Sequence, residues 1–240
     1  MPPLAIDLFC GLGGWTEGLL AEGYDVVGFD IERHQYGDHR YPAQLVVQDV
    51  LTLHGSQFRD AELIVASPPC QAYSYRAMPW KRAKALPPPD NTLFEACFRI
   101  QRETCEAAGR HIPMVVENVR GAQPWVGRAR WNYGSFYLWG DVPALMPTTA
   151  AFKAKGQDWN RFRSTGEVSP HWAKIAGFRF DGSGRSFQSE SVKHHASGAA
   201  WFDSGPASLP SSSPRRKAAS VMIAKIPLPL SRHIAAVYRP

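Results

Sequence analysis

Five short apolar runs constrain the fold of this chain more than any other feature. They are LAIDLF (4–9), DVVGFDIE (25–32), QLVVQDV (44–50), AELIVAS (61–67) and PMVVENV (113–119). Each has the length of a buried strand and is closed by turn-forming or acidic residues. After the first comes CGLGGWTEGLLAEGY, a glycine-rich turn followed by a helix from about Thr16 to Glu22. Before the last, residues 92–110 repeat small and apolar side chains at helical spacing: Leu93, Ala96, Cys97, Ile100, Thr104 and Ala107–Ala108. Strands that alternate with helices build a parallel sheet with helices on its faces, so the expected fold class is α/β. The alternation stops at Gly140 and resumes only in SVMIAKIPLPLSRHIAAVY (220–238).

The fourth run ends abruptly in IVASPPCQAYSYR (64–76). Proline has no N–H and a fixed φ, so Pro68-Pro69 cannot continue a central strand. Cys70 therefore lies on a strand-to-loop exit. A free cysteine is among the most buried residue types, and core packing is the competing reading. Yet in open α/β sheets the carboxyl ends of strands are where ligands bind.

Three other strand ends carry chemistry. Gly11, Gly13 and Gly14 allow a tight turn and a close backbone approach to a ligand, and the helix behind them offers unpaired N–H groups. Asp30 closes the second run, where an acid can bond a ribose diol. Asp49 closes the third and could accept from an adenine amino group. Alone, each acid reads as a surface residue or a helix cap. Together the three elements describe a pocket for an adenosine-bearing cofactor, and the absence of GK[ST] argues against a nucleoside triphosphate. Glu117, in VVENVRG, would pair a carboxyl with the Cys70 thiol, or else serve as a structural carboxylate that pairs Arg120 or caps the next helix.

Charge is unevenly spread. The net charge is +6, and residues 150–217 hold 11 Lys+Arg against 5 Asp+Glu, while the rest of the chain holds 16 against 16. A segment so basic, and so rich in Gly and Ser, is either a solvated linker or a lobe for a polyanion. Its aromatics (Trp159, Phe162, Trp172, Phe178, Phe180, Phe187, Trp201, Phe202) favour a folded lobe. Cys10, Cys70, Cys97 and Cys105 form no CxxC pair, so neither a zinc site nor a disulfide framework is expected. There is no run of 18 apolar residues, and MPPLAIDLF lacks the layout of a secretory signal. A reducing cytoplasm is the expected location.

In order along the chain, DLFCGLGGW, FDIE, QDV, SPPCQAYS and ENVRG resemble the motifs of the C5-cytosine DNA methyltransferases. The match is close over 5–76 and good over 113–121, and IPLPLSRHIA (226–235) is similar to the family's last motif. The resemblance implies a Rossmann-like class I methyltransferase sheet with helices on both faces, plus a small irregular basic lobe. It implies a catalytic and cofactor-binding domain over 1–140, a target-recognition lobe over 141–217 and a C-terminal segment, 218–240, returning to the catalytic domain. Its cofactor is S-adenosylmethionine, with S-adenosylhomocysteine as product. The cofactor would lie over the glycine turn near Phe9, with Asp30 on the ribose, Ile31 over the adenine and Asp49 with Val50 at the adenine edge. Pro69 and Ile226 complete that set.

The substrate implied is double-stranded DNA, with the target cytosine flipped out of its stack and the enzyme acting as a monomer. Cys70 attacks C6, and Glu117 bonds the N3 and N4 edge. Gln71, Ser74, Tyr75, Arg76, Trp80, Lys81 and Arg82 belong to a loop closing over DNA. In the lobe, Arg161, Arg163, Arg179 and Arg185 are candidate base readers, and Arg215, Arg216 and Lys217 candidate phosphate contacts.

Two motifs depart from the family. The pair of arginines, the second touching cytosine O2, has only VGRAR to represent it: Arg128 and Arg130 lie much closer to Glu117 than usual, and the glutamine before them is missing. Either one helix-strand unit is deleted, or these arginines do something else. In the last motif the cofactor-contacting asparagine is replaced by Ala224. Two alternatives stay open: an RNA cytosine-5 methyltransferase, against which stands the absence of that branch's Cys-Phe-Thr signature, and a catalytically weak DNA-binding relative.

Overall fold

The computed structural model describes residues 1–36, 38–73, 87–146, 210, 213, 217, 221 and 224–240. The chain divides into two units, Met1–Pro147 with Leu228–Pro240, and Thr148–Pro227. In the first, the apolar runs form the strands β1 (Leu4–Leu8), β2 (Asp25–Asp30), β5 (Gln44–Val47), β6 (Ala61–Ala66) and β7 (Met114–Asn118). Each run stops one to three residues sooner than the sequence pattern suggests, because its last residues already turn. Asp49 is the clearest case. It lies two residues beyond β5 and caps a short 3-10 turn, its Oδ1 accepting from Leu51 N at 2.9 Å.

The sheet order is β5-β2-β1-β6-β7-β9-β8, parallel from β5 through β7. The last two strands, β8 (Trp131–Tyr133) and β9 (Phe136–Gly140), are an antiparallel hairpin that the sequence pattern did not separate from the loop around it. Three and five residues long, they carry too few alternating positions for a period-2 signal. A further two-stranded hairpin joins β3 (Gln35–Tyr36) and β4 (His39–Arg40).

Helix α1 (Gly14–Ala21) begins two residues before Thr16, since Gly13 is left-handed at φ 77° and sets the turn into it. Helix α2 (Thr92–Ala108) ends where Gly109 takes φ 65°. Helix α3 (Leu228–Tyr238) is C-terminal.

Alternation along the strands sorts the two faces. Ile6, Leu8, Ile64, Ala66, Met114 and Val116 pack with Phe94, Cys97 and Ile100 of α2 in one core. The other side chains of the same strands, Ala5, Asp7, Leu63, Val65, Val115 and Glu117, point to the opposite face, where α1 packs against α3. That approach is close: a Cβ on Gly18 would meet Ser231 Oγ at 2.3 Å. Arg232 donates to Glu22 at 2.7 Å, and Tyr24 OH donates to the Ala235 carbonyl at 3.1 Å. Among the described residues no helix is long and apolar enough to cross a membrane.

Candidate active site

Strands β1 and β6 are neighbours, yet the chain leaves β1 towards β2 and β5, and leaves β6 towards β7. Their carboxyl ends flank a topological switch point, the crevice where open α/β sheets bind ligands. The glycine turn and the Ser-Pro-Pro-Cys exit lie side by side there.

The turn after β1 is strained. Phe9 takes φ 57°, Gly11 φ 52° and Gly13 φ 77°. Phe9 is the one non-glycine among the described residues with a positive φ, a conformation that costs on the order of 1 kcal/mol. Gly13 N donates to the Cys10 carbonyl at 2.7 Å, and a Cβ on Gly13 would meet Pro42 at 2.5 Å, so this position excludes any side chain.

Asp30 locks the turn to β2. Its Oδ2 accepts from Gly11 N at 2.9 Å and its Oδ1 from Glu32 N at 3.3 Å, with His34 Nε2 at 3.5 Å. Burial disfavours the charge, but the His34 bond and the two N–H donors outweigh it, and the carboxyl is held below its ordinary value. Beside it Ile31 is 70% exposed, an apolar side chain left in solvent at the strand end. Val50 is 2% exposed, and its side chain belongs to the core.

At the exit from β6, Asn118 Nδ2 donates to the Pro68 carbonyl at 2.9 Å, pinning the diproline to β7. Cys70 is half-buried and its carbonyl accepts from Tyr73 N at 3.0 Å, closing a 3-10 turn over Gln71–Tyr73. Tyr73 OH donates to Asn91 Oδ1 at 2.8 Å at the start of α2. Pro69 and Gln71 are exposed.

Register makes Ala66 the partner of Val116, so the next residues, Ser67 and Glu117, stand level on adjacent strand ends. Glu117 is buried, and burial pushes its carboxyl up to about 8, with a hydrogen bond from Ser67 working the other way. Arg120 is exposed, and among the described residues no cation contributes to the environment of Glu117, so the structural ion pair with Arg120 weighed from the sequence is not formed. The turn that carries Arg120 packs against the Gln71–Tyr73 turn.

Arg128 and Arg130 are exposed on the approach to β8. Arg130 N donates to the Leu138 carbonyl at 2.9 Å. Trp131, the next residue, is level with Leu138 and through it with Glu117, two strands away, or about 10 Å at ordinary strand spacing. Only the short turns Arg120–Ala122 and Gln123–Val126 separate β7 from β8.

A buried polar group on the same face escaped the sequence reading. Asp7 lies in β1, 1% exposed, and burial raises its carboxyl to about 8. Thr16 Oγ1 donates to its Oδ2 at 2.6 Å and bonds Tyr41 OH at 2.7 Å, while Oδ1 has no partner. Nothing in its spacing separates a buried Asp from the exposed acids that end other strands. Burial, with Asp7 and Asp30 nearby, also drives the Cys10 thiol upward, which keeps it un-ionised. Cys97, wholly within the core, is pushed up to about 12.

Lys217 is exposed, its N–H donating to the Ser213 carbonyl at 3.0 Å; Ile226 is buried and Ala224 exposed. Ser74, Tyr75, Arg76, Trp80, Lys81, Arg82, Arg161, Arg163, Arg179, Arg185, Arg215 and Arg216 lie outside the described residues. Among those described, no three His, Cys, Asp or Glu side chains group as metal ligands.

The sequence model of the family described as C-5 cytosine-specific DNA methylase matches residues 4–123, half of the chain. The chain belongs to this family. The match runs from β1 through the turn after β7, and so includes the glycine turn, Asp30, Cys70 and Glu117 of this family member. Among solved structures, the chain is similar to a prophage-encoded protein from E. coli assigned as a DNA modification methyltransferase. Identity is 25% over 50% of this chain and 33% of that one, with a TM-score of 0.35. It is similar also to the Dnmt2 methyltransferase of S. pombe, at 17% identity over 51% of this chain and 36% of that one, again with a TM-score of 0.35. The chain thus spans about a third of the length of either structure. No curated protein sequence matches it.

Proposed function

We propose that this chain is a DNA (cytosine-5-)-methyltransferase, which transfers a methyl group from S-adenosylmethionine to C5 of a flipped-out cytosine in a short DNA sequence. The observation that carries the reading is the convergence of two unlike sites on one switch point. A strained glycine turn with an ionised Asp30 stands on one side, and a thiol with a buried carboxyl on the other.

The residues on the first side fit the cofactor. Asp30 is an ionised acceptor at the strand end, suited to a ribose diol, and exposed Ile31 offers an apolar cover for adenine. Phe9 and the Gly11–Gly14 backbone line the same end. Asp49 sits beside them with one oxygen already bonded to its own turn. When bound, S-adenosylmethionine supplies an electrophilic methyl group.

On the second side, the Cys70 thiolate adds to C6 of the flipped base, forming a carbon–sulfur bond. Glu117 gives a proton at N3, which takes up the electron pair displaced from the ring and leaves C5 electron-rich. A carboxyl raised to about 8 is protonated at neutral pH, the state this donation needs. Once C5 has taken the methyl group, a base removes the C5 proton, the Cys70 sulfur departs with its electron pair as thiolate, and N3 returns its proton to Glu117, restoring the neutral aromatic ring.

Arg59, Arg99, Arg110 and Arg232 each hold a carboxylate. Arg120, Arg128 and Arg130, all exposed beyond β7, hold none among the described residues. Unpaired guanidinium groups at the base-side edge suit phosphates and a flipped base. We assign Arg130 to the base and residues 141–217, with their basic excess, to target recognition.

Methyl transfer from labelled cofactor to plasmid DNA and to tRNA, followed by bisulfite sequencing of the DNA, tests the reading. Label in DNA at C5 of cytosine within one short motif is the expected result. Label in tRNA alone assigns the chain to RNA, and label in neither overturns the enzyme reading.

A further inference from the structure

Ser67 holds a position between the two sides. It follows β6, stands level with Glu117 on the neighbouring strand end and shares the α1 face of the sheet. Its Oγ accepts a hydrogen bond at 3.0 Å from the indole Nε1 of Trp15, a residue 2% exposed in the first turn of α1, directly behind the glycine turn. An indole N–H can only donate. A serine hydroxyl has one proton, and with the indole occupying a lone pair that proton is left to seek an acceptor. The acceptor within reach is the Glu117 carboxyl.

We propose that Ser67, oriented by Trp15, is the positioning residue of Glu117, and that the pair ties the cofactor-side helix to the base-side acid. The inference rests on the reading of Glu117 as the group that meets the cytosine N3 edge.

The consequence is chemical. Burial favours the neutral form of Glu117 and pushes its carboxyl up. A hydroxyl that donates to the carboxylate stabilises the ionised form and brings the group back toward neutrality, so that one carboxyl can both give its proton at N3 and recover it within a turnover. The other groups around Glu117 do not offer this. Across β9 its partner is Leu138; beyond β6 lie the Cys70 turn and, on β1, Asp7; beyond β7, Arg120 is exposed. None of these charged or titratable neighbours contributes to its environment, which among the described residues is set by burial and Ser67.

The test is a titration of the full chain, labelled with 13C at glutamate carboxyls and followed by NMR, with Glu117 assigned by the resonance lost in Glu117→Gln. The wild-type carboxyl should titrate near pH 8. In Ser67→Ala the midpoint should move upward by about one to two pH units, the worth of one hydrogen bond to a carboxylate. Trp15→Phe, which keeps an aromatic ring but loses the N–H, should shift it in the same direction by less. Ser67→Thr, which keeps the hydroxyl, should titrate as wild type. Coincident midpoints in wild type and Ser67→Ala, or in wild type and Trp15→Phe, overturn the proposal. Failure of the underlying reading has a separate signature: Glu117→Gln methylating DNA at close to the wild-type rate, whatever the titrations show.

Discussion

Two carboxylates stand at the carboxyl ends of β2 and β7, with β1 and β6 between them, and their surroundings push them in opposite directions. Asp30, at the end of β2, faces two backbone N–H groups and His34, which overcome burial and keep it ionised. Glu117, at the end of β7, faces one hydroxyl and is otherwise enclosed, so burial wins and the proton stays to about pH 8. What separates them is donor supply, because both are buried. An ionised acid is an acceptor, suited to hold hydroxyl groups without reacting. A neutral acid is a proton donor, suited to a base whose ring gains electrons. On the proposed reading, binding is divided from chemistry by the number of N–H groups aimed at each carboxyl.

If that division is right, substitutions on the two sides fail differently. Cys70→Ala has the largest expected effect: methylation should be lost, while cofactor binding by calorimetry stays as in wild type, because the sulfur serves only the addition at C6. Glu117→Gln should slow turnover by about 10²–10⁴-fold with DNA affinity little changed, the usual worth of a positioned acid; a rate within a few fold of wild type makes the carboxyl structural. Asp30→Ala should leave DNA binding alone and weaken S-adenosylmethionine by roughly ten- to a hundredfold, the worth of a hydrogen bond to a charged group. Unchanged cofactor affinity in calorimetry removes Asp30 from the binding side.

The smallest effect concerns Asp7, which sharpens the comparison because it is buried but has no role in the proposed chemistry. Its folded value of about 8 lies above its ordinary 3.8. A raised acid contributes stability below its unfolded value, and that contribution is lost as pH rises through the folded one. The chain should therefore lose stability between about pH 4 and pH 8. Asp7→Asn should remove part of that loss, raising Tm above pH 8 by on the order of 2–4 °C. Parallel stability curves for the two proteins across this range contradict a neutral buried Asp7.

The parallel strands and the polar strand ends were legible in the sequence because both rest on local signals. Apolar runs of strand length are closed by turn-forming or acidic residues, and at or just past their ends stand Gly11, Asp30, Cys70 and Glu117. The β8–β9 hairpin was not legible, since Trp131–Tyr133 and Phe136–Gly140 are too short to show a period. The Trp15–Ser67 contact joins residues 52 apart in the chain through a crossover, and no spacing rule reports it. Asp7 looks like any acid beside a turn until alternation along β1 assigns it to the enclosed face. Local pattern reveals where strands end; which polar groups are buried together depends on register between strands, and that is a property of the fold.

The central claim is that Cys70 bonds C6 of a cytosine in DNA. DNA carrying 5-fluorocytosine tests it most directly, because fluorine cannot leave C5 as a proton does and the adduct cannot resolve. With S-adenosylmethionine present, wild-type protein should form a covalent complex that survives denaturation, and Cys70→Ala should form none. A stable adduct in the Cys70→Ala protein, or its absence in a wild-type protein that methylates unmodified DNA, contradicts the account.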